Sequence, residues 1–517
     1  MTTPASRAMP ATSVRRMALL CAALGAVASP AIAQQQVREF AVVPSVMVTE
    51  TLTDNARLSR SSAAESDWIT QIRPMLRFEA TGYRVKGAMD VGVNSSFYGN
   101  GSQHDSNQLL LNGNGKLTWW DNHGFLDLMA SVSRQPTYAF RPIGGDTVTG
   151  ASNWSEVRTI SMSPNIKGRF ANTGTVEARF TANQSDSSTT VLNRLQTNVW
   201  SVSATDPRAF GNLGWSMSLN DSHTSRTNNR DVDHRTFRAS ALWAVDPQLS
   251  LRLIGGTETN NYSTVDNKTT TIYGLGTDWT PTPLTKISGT IEDRFFGTGF
   301  NLTAEHRGPQ VAFQGSYSKD ITTTSQNMTS AVTLLDLAKL YCASEPAATR
   351  DACIRRLTLT STGADASSAL IGLQSGLANG FYLDRRLQLG VTFIGRRNSL
   401  SVIAVTSNRT TITERDFAVT EDITTTSNLR TTGATVSLQH KMTPITTATG
   451  TYTLMRSHTD STSVGGPSDA RNRMITAGVS TRLTPRTTGA LNVRNSQGGG
   501  IASYSENALY GSLLFQF

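Results

Sequence analysis

The residues that could do chemistry are few and scattered. The seven histidines, His104, His123, His223, His234, His306, His440 and His458, include no HExxH pair and no short metal-ligand spacing. No GxSxG turn is present to expose a nucleophilic serine. "GNGK" at Gly113–Lys116 has a phosphate-loop lysine but lacks the upstream glycine and the following Ser or Thr, and it falls in a strand-like segment. Asp231-Val232-Asp233-His234 sets carboxylates beside an imidazole, the raw material of an acid–base pair, in what reads as a solvated outer loop. Cys342 and Cys353 stand eleven residues apart with no histidine or third cysteine nearby. In an exported chain that spacing points to a structural disulfide rather than a metal site. The residues therefore indicate neither an enzyme nor a cofactor or metal protein.

Charge distributed along strands is the more informative chemistry. In Arg84–Asn94 ("RVKGAMDVGVN"), Val85, Gly87, Met89, Val91 and Val93 alternate with Arg84, Lys86, Asp90 and Asn94. Ile72, Leu76, Phe78 and Ala80 alternate in the same way with Arg73, Arg77 and Glu79. Period-two alternation is a β-strand with one apolar and one wet face. Extended along the chain, the wet face carries fourteen basic side chains, among them Arg73, Arg77, Lys86, Arg179, Arg252, Lys286 and Arg294. Against them stand seven acids, Glu79, Asp90, Asp127, Glu177, Asp278, Glu292 and Glu305. Were the wet faces to line one lumen, it would be mildly electropositive and favour anions, or these charges would pair across neighbouring strands.

The elements that must position those charges are hairpins. The two runs above meet at Thr81-Gly82-Tyr83. Comparable short turns fall at Asp121–Gly124, Ala171–Gly174, Asp206-Pro207, Asp246-Pro247, Thr280–Pro283, Gly308-Pro309, Gly395–Asn398, Thr443-Pro444 and Thr484-Pro485. Proline has no N–H to give a ladder and suits a turn. The intervening connections are long and polar, as in 98–107, 220–234 and 456–472. Ten short turns with a strand at each terminus give twenty-two strands, within an expected range of about 18–22. One stretch breaks the rhythm: Ala331–Thr358 has helical spacing, a second short helix is expected at Ser367–Leu377, and together they form a helical insertion over 327–380.

Bulk composition narrows the class. Mean hydropathy is −0.26, and hydrophobic residues make up 38% of the chain. Residues 1–33 read as a secretory signal: Arg15-Arg16, a short apolar core over Met17–Ser29, and Ala31-Ile32-Ala33 before Gln34. No later run is long and apolar enough for a membrane-spanning helix. Trp119, Trp200, Trp243 and Trp279 fall near strand ends and suit an aromatic girdle. The chain closes on "NALYGSLLFQF", in which Leu509, Gly511, Leu513, Phe515 and Phe517 share one face. A soluble domain gains nothing from that ending, whereas a lipid-facing strand does. The expected fold is all-β: a transmembrane antiparallel up-and-down β-barrel over 34–517 in a Gram-negative outer membrane, in contact with lipid. A plugged transporter is disfavoured, because alternation starts near Phe40. Compartment argues against nucleic acid despite the formal charge of +9.

"PSVMVTETLTDNARLS" (Pro44–Ser59), "SDWITQIRPMLRF" (Ser66–Phe78), "FFGTGFNLTAEHRGPQVAFQGSYSKDITTTSQ" (Phe295–Gln326) and "NGFYLDRRLQLGVTFIGRRNSLSV" (Asn379–Val402) resemble segments of the PEP-CTERM system-associated outer-membrane proteins. A broader resemblance links the chain to barrel porins with an N-terminal "DN" segment. The resemblance implies an outer-membrane barrel in an exosortase-sorting, exopolysaccharide-producing bacterium, and it carries no catalytic residues. The terminal Phe515 and Phe517 also resemble the signal read by the barrel-assembly machinery. The expected function is a porin-like channel or scaffold of such a system, with the exopolysaccharide or its secretion components as partners. The alternative is a non-conducting assembly or glycan-binding platform. The helical insertion is the expected constriction or outer cap.

Overall fold

The computed structural model describes residues 40–188, 194–227, 229–323, 334–344, 350, 353–354, 381–412, 428–460, 468–501 and 503–517. The signal segment 1–33 lies outside them, as do the helix expected at Ser367–Leu377 and most of the 327–380 insertion.

Twenty-two antiparallel strands form one closed sheet. In chain order they are β1 (Phe40–Thr53), β2 (Asp67–Thr81), β3 (Val85–Tyr98), β4 (Ser106–Trp120), β5 (Gly124–Pro136), β6 (Trp154–Phe170), β7 (Gly174–Ser187) and β8 (Leu195–Phe210). There follow β9 (Leu213–Arg226), β10 (Asn229–Ala244), β11 (Leu249–Asn260), β12 (Lys268–Thr282), β13 (Thr285–Arg294), β14 (Gly297–Arg307) and β15 (Val311–Thr322). The last are β16 (Tyr382–Ile394), β17 (Asn398–Thr411), β18 (Asn428–Lys441), β19 (Thr446–Thr459), β20 (Ser468–Thr484), β21 (Thr487–Gly500) and β22 (Tyr504–Gln516). Each strand pairs with its sequence neighbours, and β1 pairs with β22, for example Val46 with Phe515 and Leu52 with Leu509. Beyond the last strand, the Phe517 N–H donates to the Pro44 carbonyl at 3.0 Å. Closure removes the unpaired edge that no strand can keep in hydrocarbon.

Alternation sorts the side chains. Leu253, Leu275, Ile291, Val493 and Leu509 are exposed on the outer face, while their neighbours Arg252, Gly276, Thr290, Arg494 and Ala508 turn inward. Trp119, Trp243 and Trp279 project outward near the short-turn end of the barrel, and Trp200 projects outward near the opposite rim. On β16 the outward run from Phe393 to Leu387 ends at Arg385; these nine residues span about 26 Å along the strand, the length a tilted transmembrane strand needs. The protein is an outer-membrane β-barrel.

At one end of the barrel, hereafter the turn end, connections are two to four residues long; at the other, the loop end, they range from two to fifty-nine. Both chain ends of the barrel lie at the turn end, which is the periplasmic side in such barrels. Two expectations are corrected. Asp206-Pro207 is not a turn but an irregularity within β8, the ladder jumping from Asp206↔Trp215 to Phe210↔Leu213. The chain reverses instead at Gly211-Asn212, where Gly211 adopts φ +73°, a conformation glycine takes without steric cost. Residues 220–234 are not a long loop: β9 and β10 continue as a tall hairpin joined through residues 227–228. Above the membrane both faces of a strand meet water, so the apolar alternation vanishes although the ladder continues.

Candidate pore and its constriction

All seven sequence-predicted lumen residues sit on the inner face, and most are paired. Arg77 meets Glu79 at 2.6 Å and Asp90 at 3.6 Å, Arg179 meets Asp127 and Glu177 at 2.9 and 3.0 Å, and Arg252 meets Asp278 at 3.3 Å. Arg73 donates to Asn94 Oδ1 at 3.5 Å. Lys86 is exposed to the lumen and lies in register with Lys116, whose ammonium sits 4.3 Å above the Phe125 ring. Lys286 lies in register with Glu305. Arg294 is buried and belongs to a larger network. Alternation left inward charges uncounted on both sides, Glu258, Asp320, Asp384 and Glu506 among the acids and Arg169, Arg226, Arg307 and Arg409 among the bases.

Near the turn end this wall is open to water. Between a third and a half of the side-chain surface of Arg77 (46%), Lys167 (44%), Asp278 (40%) and Asp127 (36%) is accessible from the lumen. Near the loop end the inner wall is covered by two connections that fold into the barrel along the β1–β22 seam. The β5–β6 connection, residues 137–153, buries Phe140, Ile143 and Val148. Phe140 packs on Ala470, Ile143 on Met455 and Trp154, and Val148 on Ala56, Ile69 and Tyr98. The wall holds its backbone: Tyr98 Oη donates to the Val148 carbonyl at 2.9 Å, and Tyr504 Oη and Asn472 Nδ2 donate to the Ile143 carbonyl at 2.8 and 2.7 Å. The shorter β1–β2 connection, residues 54–66, interlocks with it. Gly150 N–H donates to the Ala56 carbonyl at 2.9 Å, and a Cβ on Gly150 would sit 2.7 Å from Leu58 Cδ1. The Asp54-Asn55 pair takes the turn role its residue types favour: Asn55 Nδ2 donates to the Ser59 carbonyl at 2.7 Å, and Asn55 Oδ1 accepts from the Ser59 N–H.

One arginine latches the long loop. Arg494, 3% exposed, donates to Asp146 at 2.7 Å from Nη1 and to Glu506 at 2.7 Å from Nη2. Thr53 Oγ1 also donates to Glu506, at 3.1 Å. Burial works against ionisation of Asp146, but the Arg494 guanidinium and hydrogen bonds from Thr149 outweigh it and hold that carboxyl below its usual range.

A second charged cluster occupies the opposite wall. Glu258, fully buried, accepts from Arg294 at 2.5 and 3.0 Å and pairs with His234 at 2.7 Å, while Arg294 also reaches Asp320 at 2.7 Å. Tyr262 roofs it, stacked on Phe295 (5.8 Å between centroids) and edge-on to Phe381 (4.9 Å).

Within the insertion, a helix α1 (Leu334–Tyr341) packs on the inner face of β15 and β16, and Cys342 and Cys353 form a disulfide beside it. β15 ends and β16 begins at the loop end, yet Tyr341 Oη donates to the Pro309 carbonyl in a turn-end connection, at 3.1 Å. The described part of the insertion therefore lies inside the barrel and reaches towards the turn end.

The residues considered for catalysis separate. Asp231 and Asp233 lie on the outer face of β10 beside His223 (3.8 and 2.7 Å), and His234 turns inward to Glu258. Gly113–Lys116 lies within β4. Among the described residues no group of three or more His, Cys, Asp or Glu could hold a metal ion. What sequence reasoning missed is the 137–153 loop; its signal was the run of Pro142, Gly144, Gly145, Asp146 and Gly150 between two alternating segments.

No family model matches the chain, and no curated protein does. Among solved structures it is similar to the ferric enterobactin receptor PfeA from Pseudomonas aeruginosa (9% identity, 92% of this chain and 80% of that one, TM-score 0.45). It is similar also to the FrpB iron transporter from Neisseria meningitidis (9% identity, 92% and 82%, TM-score 0.47) and to OccK8 (OprE) from Pseudomonas aeruginosa (12% identity, 92% and 98%, TM-score 0.29).

Proposed function

We propose that this outer-membrane barrel is a porin-like channel for small polar solutes, narrowed by its own inward-folded segments. The observation that carries the reading is the water-accessible, ion-paired inner wall near the turn end, continuous with a polar wall on β8 and β9 (Ser201, Ser203, Ser216, Ser218). A barrel of 22 strands is wider than its own side chains can fill, so loop 137–153 and helix α1 set the path. Because seven of the fourteen inward cations counted in the sequence meet a carboxylate, we expect a weaker anion preference than counting charges suggests. The resemblance of its sequence segments to the PEP-CTERM-associated proteins is what supports a role in an exopolysaccharide and exosortase system, with polymer-secretion components as partners.

Planar-bilayer recording tests the channel. Discrete conductance steps are expected, rising when residues 139–148 are replaced by a short glycine-serine link. A folded barrel silent in both forms would remove the pore. The tall β9–β10 hairpin, standing above the membrane with both faces wet, favours a second reading: a non-conducting assembly or glycan-binding platform. Loss of surface polymer in a deletion strain whose permeability is unchanged would favour that reading.

A further inference from the structure

The outer face of the barrel changes charge around its circumference just above the apolar belt. From β6 to β10 each outward arginine there has its acid: Arg158 meets Glu156 at 2.7 Å, Arg194 meets Asp186 at 3.0 Å, and Arg235 meets Asp221 at 2.6 Å. From β15 to β20 the same level carries Lys319, Arg385, Arg430, Arg456, Arg471 and Arg473 on the outer face. Register sets Lys319 opposite Arg385 and Arg456 opposite Arg471. Like charges facing each other across a ladder destabilise it. Asp469 is shared by Arg456 (2.8 Å) and Arg471 (3.1 Å). Among the described residues no carboxylate pairs with Arg385, Arg430 or Arg473; Arg473 donates only to Gln497 Oε1, at 2.6 Å.

Directly below these arginines, towards the belt, the wall is hollow. Ala404, Thr406, Thr432 and Ala434 floor an open groove of ≈ 800 Å³ between ridges made by Leu387 and Leu389 on one side and Leu454 on the other, with Arg456, Arg471 and Arg473 at its upper edge. A cationic rim over an apolar trough, at the level where hydrocarbon gives way to head groups, matches an amphiphile with an anionic head.

We propose that this wall binds a membrane lipid whose head carries phosphates, with Arg456, Arg471 and Arg473 on the phosphate oxygens and one acyl chain in the groove over Ala404 and Ala434. Guanidinium forks grip phosphate oxygens bidentately, and a divalent or bisphosphorylated head relieves the repulsion between facing arginines. A free phosphate ion would leave the groove unused. A second copy of the chain, apposed about a two-fold axis, would set one arginine cluster against another. The loop end faces outward in barrels of this kind, so the lipid belongs to the outer leaflet.

The test uses the full-length barrel in detergent, with bisphosphorylated lipid A and phosphatidylcholine as probes, read by native mass spectrometry and by melting temperature. Lipid A should remain bound and raise the melting temperature, and phosphatidylcholine should do neither. The variant R456Q/R471Q/R473Q should hold lipid A at least tenfold less well while folding normally, since it sheds facing like charges. R158Q/R235Q on the opposite wall should bind as the native chain does. Equal lipid A retention by R456Q/R471Q/R473Q, or equal retention of phosphatidylcholine by the native chain, would overturn the assignment. A melting temperature for R473Q alone that rises with lipid A as far as the native value would also count against it.

Discussion

Arg494→Gln should release loop 137–153 from the wall far more often and so, in the channel proposed above, multiply its wider openings. The guanidinium is the shared partner of Glu506, which is wholly buried, and of Asp146 on the inward loop. Removing one member of a buried ion pair leaves an uncompensated charge and costs about 3–5 kcal/mol. The other restraints on the loop survive the substitution: the hydrogen bonds from Tyr98, Tyr504 and Asn472, and the packing of Phe140, Ile143 and Val148. The docked loop thus remains the major state. At about 1.4 kcal/mol per tenfold, the population with the loop released should rise from roughly a hundredfold to a few thousandfold. Single-channel recordings should show this as more frequent excursions to a higher conductance, with the main level little changed, and limited proteolysis should cut within 139–148 correspondingly faster. The triple replacement R494M/E506Q/D146N removes all three charges and should return most of the way to native behaviour, since no buried charge is then left alone. If R494Q, shown to be folded by heat-modifiable migration, opens no more than about threefold more often than the native chain, the latch does not hold the loop.

Acid should release the same loop. The Asp146 carboxyl lies below its usual range when docked, so its contribution is complete above the ordinary aspartate value of 3.8 and is lost as pH falls through the lowered one. High-conductance excursions should therefore multiply only below about pH 3.8, and D146N should not show that dependence. Leu275→Arg, on the lipid face, should cost about 2–4 kcal/mol in denaturant titration from liposomes, whereas Thr290→Arg at the same height on the inner face should cost much less. Reducing Cys342–Cys353 removes about 3 kcal/mol of loop constraint but touches no barrel strand. Conductance should rise with reductant while the melting temperature of the barrel stays put.

The legible part of this protein was the part in contact with hydrocarbon. There one face must be apolar and the other may be wet, so Val85–Val93 or Leu509–Phe517 declare a strand and its orientation together. Legibility failed wherever that contrast ended. Residues 220–234 are strand with water on both sides, and polar residues on both faces look like a loop. Pro207 marks an irregularity beside a turn, and proline tolerates both places. Glu258 and Glu506 lie beyond the apolar run of their strands, so alternation had no reason to count them, yet they neutralise Arg294 and Arg494. The inward path of residues 137–153 could not be read locally, because what draws Phe140, Ile143 and Val148 inside is a surface assembled from β1 to β4 and β19 to β22, more than 300 residues apart in sequence at the closing seam.

That division has a physical cause. Lipid imposes the same demand on every strand, so the wall repeats a simple rule and tolerates exchange among Leu, Val, Ile and Phe. The lumen imposes none of its own: Ser, Thr, Asn and Gly line it without filling it, and a cylinder this wide would pass solutes indiscriminately. Selectivity must come from segments that leave the ladder and return inside, and each such segment needs its own anchor on the wall. Loop 137–153 has Arg494, and helix α1 has its packing on β15 and β16 together with the Tyr341 contact at Pro309. If this account holds, the anchors and not the strands determine what passes. Exchanging residues 137–153 for another loop that keeps an aspartate within reach of Arg494 should then change conductance and solute preference while leaving the fold and stability of the barrel unaltered.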